Sequence, residues 1–183
     1  MAGLLVGSDK VSIGHVIQVK SITFNAKATV TGSATPVFYA IVDASSNYFE
    51  KQITVAEGNY VLVLYDLAVN SNLNGGRVWI KLVRGVSGVL HGSDTVLKKG
   101  DATGTTNVQE VTLAAGSDMR DGSTQVSGSY LDTGTLNGSM IYKFHWAASD
   151  TGYTSYLNYG GTEPDTINSA RSVSTLTLME IQT

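Results

Sequence analysis

Short apolar runs rich in Val, Ile, Thr, Tyr and Phe recur along the chain, separated by Gly, Asn, Asp and Ser, and no stretch holds a 3.6-residue apolar stripe for long. β-Branched and aromatic side chains suit a pleated, half-buried surface, so the pattern predicts strands and not helices. The runs place strands near 16–20, 22–30, 37–42, 48–55, 60–69, 77–84, 108–114, 123–131, 139–147, 153–158 and 172–181. Short strands at close intervals with turn residues between them predict a sandwich or barrel, because two sheets must each hide one face against the other.

Turn chemistry supports this. Asn74-Gly75-Gly76 and Asn137-Gly138 stand between strong apolar runs, where Asn and Gly accept the positive φ of tight turns, and both read as hairpins. Alternation then assigns faces. In 139–147, Met140, Tyr142, Phe144 and Trp146 share one face and Ile141, Lys143, His145 and Ala147 the other, so the first is expected to be core. In 60–69 both faces are apolar, with Tyr60, Leu62 and Leu64 opposite Val61, Val63 and Tyr65. Something is expected to cover the second face, either a loop or arm of the same chain or a neighbouring subunit.

At 183 residues the chain is long enough for one self-sufficient domain, which buries roughly 70% of its unfolded surface. Charged residues make up 15% of the chain, against an ordinary ~25%, so Ser, Thr, Asn and Gly must cover much of the surface. Twelve basic and 15 acidic residues are scattered without runs, which leaves no footprint for a nucleic acid backbone. No apolar run approaches the ~18 residues of a membrane helix, and residues 1–7 lack the basic start of a secretory signal. The absence of cysteine excludes disulfides, thiolate metal sites and a cysteine nucleophile.

Candidate chemistry is sparse. His15, His91 and His145 stand alone, without the spacing that holds a metal. No G-x-S-x-G elbow and no phosphate-binding glycine loop is present. Asp94, Asp101, Asp118 and Asp121 read as solvated turn residues before they read as calcium ligands, since the D-x-[DN]-x-[DN]-G pattern is missing. Tyr39, Tyr48, Tyr153, Tyr156 and Tyr159 fit cross-strand packing better than stacking on sugars. The expectation is a non-enzymatic protein, with no cofactor, that acts through its surfaces.

Several short blocks in one order carry a family resemblance. They are GHVIQV (14–19), GRVWIKLVRG (76–85), SYLD (129–132), YKFHW (142–146) and ARSVSTLTLMEI (170–181). Together they resemble the small jelly-roll modules with a tumour-necrosis-factor or C1q-like fold that occur in tailed-phage fibres, head fibres and capsid decorations. Residues 21–59 and 93–122 are similar to that family only in pattern. The resemblance implies a jelly-roll β-sandwich over 14–183, a trimer packed on a threefold axis, no catalysis, and service on a phage particle.

Residues 1–13 precede the first matching strand and are apolar at Leu4, Leu5, Val6, Val11 and Ile13, which suits a short docking arm better than a fibre shaft. The combined expectation is a trimeric capsid decoration (cement) protein on the virion surface, assembled in the host cytoplasm and bound to the major capsid protein. Leu4, Leu5 and Val6 are its docking residues, and Val61, Val63, Tyr65 and Trp79 its trimer contacts. The alternative is a receptor-binding tail-fibre or head-fibre knob for a host surface glycan or protein.

Overall fold

The computed structural model describes residues 14–72, 75–88, 94–100, 111–116, 123–160 and 171–183. They form an all-β, antiparallel sandwich of two sheets. In the first, β1 (Val16–Phe24) pairs with β12 (Ser174–Ile181), and β12 with β5 (Tyr60–Ser71). Residues 61–66 of β5 pair with β12 and also with β9 (Thr124–Asp132), so β9 runs along the other side of β5. Past the end of β12, β11 (Thr154–Leu157) continues beside β5 and carries β2 (Ala28–Thr31) on its free edge.

The second sheet is built on β10 (Gly138–Ala148). One side of β10 pairs with β6 (Arg77–Gly85), and the other with β4 (Glu50–Val55) and then β3 (Tyr39–Ala40). The far side of β6 carries β8 (Leu113–Gly116) and β7 (Thr95–Val96). Each sheet is thus four strands wide.

The turn residues are where the sequence places them, but they do not close hairpins. Gly75 and Gly138 adopt φ of +81° and +85°, the left-handed region that glycine enters at no steric cost. Yet β5 and β6 lie in different sheets, as do β9 and β10. Local turn chemistry fixes the bend; the choice of sheet is decided by partners distant in sequence.

Between the sheets, Val61, Val63, Tyr65 and Leu67 of β5 and Leu176 and Leu178 of β12 meet Val78, Ile80 and Leu82 of β6 and Tyr142, Phe144, Trp146 and Ala148 of β10. Phe24, Phe49, Phe144 and Tyr65 form a chain of rings through this core at centroid spacings of 5.1, 5.6 and 5.4 Å.

Three strand expectations change. The predicted break at Ser21 is absent, because Ser21 pairs in register with Thr177 and β1 runs on to Phe24; the expected strand 22–30 breaks instead at 25–27, before β2. The two-residue β7 carries no alternation that would reveal it. In β10 both faces are buried: Lys143, His145 and Ala147 are as enclosed as the expected core face. The cover includes Asp94, whose Oδ2 lies 3.0 Å from Lys143 Nζ, and Val86 and Gly88, to whose carbonyls the same ammonium donates.

Candidate functional site

The residues expected to act together are separated by the fold. Val61, Val63 and Tyr65 point inward and are buried within the chain's own core. Trp79, half-buried, faces outward on the second sheet. Leu4, Leu5 and Val6 lie outside the described residues, as do His91, Asp101, Asp118 and Asp121. Asp94 is the ion-pair partner of Lys143. His15 is exposed and His145 buried. Among the described residues no group of three or more His, Asp and Glu could hold a metal ion, and no helix is long and apolar enough to cross a membrane.

Two surfaces stand out instead. The first is the outer face of the first sheet. Cross-strand register places Val19 opposite Met179, Met179 opposite Leu62, and Leu62 opposite Leu131. These four side chains form one apolar row across β1, β12, β5 and β9. Its ends are open, Val19 at 52% and Leu131 at 45% exposure. A second row, Val16, Ile181 and Tyr60, runs beside it. On the other side the rows turn polar: Ser21, Thr177, Leu64 and Ser129, then Thr23, Thr175, Asp66 and Ser127. Asp66 is the one charge in these four rows, and its Oδ1 accepts a 2.8 Å hydrogen bond from Ser127 Oγ.

Buried polar clamps hold the strands beneath this face. Glu180, 2% exposed, accepts hydrogen bonds from Gln18 Nε2 (2.7 Å), Asn59 Nδ2 (2.7 Å) and the Ala56 N–H (2.8 Å). Burial pushes its carboxyl pKa up, but the three donors outweigh burial and hold it below the usual carboxylate value. Gln18 Nε2 also donates to the Thr54 carbonyl and so ties the two sheets together. Asp132 receives Arg84 Nη1 at 2.5 Å, Tyr142 Oη at 2.9 Å and the Gly134 N–H at 3.1 Å. Burial, with the adjacent Asp132 carboxylate, raises the Tyr142 phenol far above its ordinary pKa.

The second surface is an open cleft of about 350 Å³ at one end of the second sheet, lined by Trp79 and Arg77 from β6, Tyr153 and Asp150 from the turn before β11, Pro36, and Gly75. The turn is pinned from three sides. Gly32 N–H donates to the Tyr153 carbonyl (2.8 Å), Thr154 N–H to Asn72 Oδ1 (2.7 Å), and Arg77 N–H to Ser149 Oγ (2.9 Å). The alternation of β6 exposes Trp79 and Arg77 in the sequence; the partners they meet come from turns that periodicity does not predict.

No protein-family model and no curated protein matches the chain. Among solved structures, it aligns over 98% of its length with that of infectious bursal disease virus Gx strain, at 11% identity and a TM-score of 0.46, covering 41% of that chain. It also aligns over 97% with the infectious bursal disease virus VP2 subviral particle (9% identity, TM-score 0.41, 44% of that chain) and over 97% with the T=1 particles derived from that virus (10%, 0.40, 42%). The chain therefore spans about two fifths of the solved chains it matches. Particles of infectious bursal disease virus stand where tailed-phage modules were expected. This corrects the phage reading, and with it the bacteriophage cement protein and its tail-fibre or head-fibre alternative. Identities near a tenth at these TM-scores assign no family.

Proposed function

We propose that this chain is a non-enzymatic structural module of a virus particle whose work is association: the outer face of its first sheet packs against a second copy of the chain. The observation that carries this reading is the apolar row Val19, Met179, Leu62 and Leu131, whose ends Val19 and Leu131 no described residue covers. Each large aliphatic side chain moved fully from water into an interface contributes ~1.5–3 kcal/mol, so a four-residue row with its flanking Val16, Ile181 and Tyr60 is a substantial driving force. Jelly rolls recur in capsid and lectin domains, which is analogy at the level of fold.

A second copy is the partner that fits the charge. Rows that carry a single charge, Asp66 at the polar end, bring little like-charge repulsion to their own copy and offer no complement to a strongly basic or acidic protein. Symmetric self-association is also the common state of soluble assemblies. Val61, Val63 and Tyr65 support the face from beneath by anchoring β5 in the core, while Leu62 and Leu64 alternate outward to the partner. Three copies about an axis is the finer form of this reading. The segment 1–13, with Leu4, Leu5 and Val6, precedes edge strand β1 in sequence and is the second docking element, directed at a neighbouring shell protein.

The absence of cysteine makes a direct test available. A single Leu131→Cys variant is labelled with a thiol reagent over a range of protein concentrations, beside Val37→Cys, an exposed position just before β3 of the second sheet. Labelling of the Leu131→Cys chain is expected to slow as concentration rises, while that of the Val37→Cys chain stays unchanged. Equal reactivity of the Leu131→Cys chain at all concentrations overturns the reading.

A further inference from the structure

We propose that the cleft between Trp79 and Tyr153 is a saccharide-binding site, distinct from the association face. Two aromatic side chains from different elements line it, one from a central strand and one from a pinned turn. Its volume of about 350 Å³ falls within the ~300–1,000 Å³ of small-molecule sites, which combine apolar walls with a few placed polar groups.

The polar groups narrow the chemistry. Arg77 and Asp150 both line the cleft and both are exposed, yet they form no ion pair with each other. Asp150 Oδ1 accepts from the Thr151 N–H at 2.7 Å, and its Oδ2 has no hydrogen-bond partner among the described residues. The cleft thus presents a guanidinium fork that only donates and a carboxylate oxygen that only accepts, beside two aromatic side chains. Opposite charges cancel, so neither a phosphate nor a simple cation is favoured. A vicinal pair of hydroxyls uses both groups, since each hydroxyl donates and accepts, and the C–H face of a pyranose ring covers an aromatic face. A free amino acid with a small side chain would satisfy the two charges but leave the rings against water.

The backbone keeps the site open. Asp150, a non-glycine residue, is held at φ +49°, and Gly75 at φ +81° contributes a wall with no side chain. Strain of this kind persists where surrounding contacts fix it, as those from Gly32, Asn72 and Ser149 do here.

The probes are maltohexaose, cellohexaose and chitohexaose, titrated into the full chain up to about 10 mM and read by saturation-transfer NMR and tryptophan fluorescence. Trp146 is buried, so Trp79 dominates any quenching by solute. At least one of the three is expected to bind, with affinity falling about tenfold in Trp79→Ala and about fivefold in Asp150→Asn. Asparagine tolerates the left-handed backbone and keeps the turn, so that variant separates loss of the site from loss of folding. Binding by none of the three overturns the proposal, and so does binding that both substitutions leave unchanged.

Discussion

Lys143 Nζ stands 3.0 Å from Asp94 Oδ2 with both side chains sealed from solvent, at 2% and 0% exposure. A lysine on the outward face of β10 is expected to lie in water; here its ammonium meets Asp94 and the carbonyls of Val86 and Gly88. The Val86 N–H donates to Asp94 Oδ1 at 3.0 Å, and a Cβ at Gly85 would fall on the same carboxylate. The pair therefore ties Asp94, Val86 and Gly88 to β10.

Breaking that pair on one side leaves a buried uncompensated charge, at a cost of about 3–5 kcal/mol. Lys143→Met and Asp94→Leu are each expected to destabilise the chain by that amount in urea unfolding. The double variant is expected to recover most of the loss, because no charge is then left to desolvate. Additive losses would show that the two charges do not depend on each other.

Glu180 predicts the acid limb of stability. Its carboxyl is held below the ordinary value of 4.5 in the folded chain, so the associated stability is fully present above the unfolded pKa. It is lost as pH falls through the folded pKa. Glu180→Gln is expected to flatten this part of the stability–pH curve and to cost about 1.5–3 kcal/mol near neutral pH, the worth of hydrogen bonds to a charged group. A variant with the same acid limb as the parent would contradict the assignment.

Asn158 joins three strands. It adopts φ +61°, its Nδ2 donates to the Phe24 and Ala26 carbonyls, and its Oδ1 accepts from Ser174 Oγ at 2.6 Å. Asn158→Gly keeps the backbone and loses the hydrogen bonds; Asn158→Ala loses both. Alanine is therefore expected to be the less stable by about 1–2 kcal/mol, read from thermal or urea unfolding. Equal stability would mean that the left-handed backbone costs nothing there.

Most strands are legible in the sequence because their apolar alternation is local: Val61, Val63, Tyr65 and Leu67 alternate along β5, and the core uses that face. The second face of β10 is not legible, because its cover is supplied by Asp94 and by segments distant in sequence. The apolar row is half legible. Leu62 and Leu64 stand out as a second apolar face, but only register brings Val19, Leu131 and Met179 into line with Leu62. Trp79 reads as a contact residue without its surroundings, since Asp150 and Tyr153 reach it from another connection. The glycines at 75 and 138 announce turns but not the absence of hairpins, because a dipeptide sets φ and cannot choose a sheet.

The claim that the outer face of the first sheet binds a second copy is tested most directly by sedimentation equilibrium of the parent chain and Leu62→Lys across a concentration series. Leu62 sits mid-row and is partly exposed, so lysine can reach water in the monomer but places like charges together in the assembly. The parent is expected to associate, with three copies as the finer expectation, and Leu62→Lys to remain a folded monomer. A parent that stays monomeric throughout, or a Leu62→Lys chain that associates as the parent does, would contradict the account.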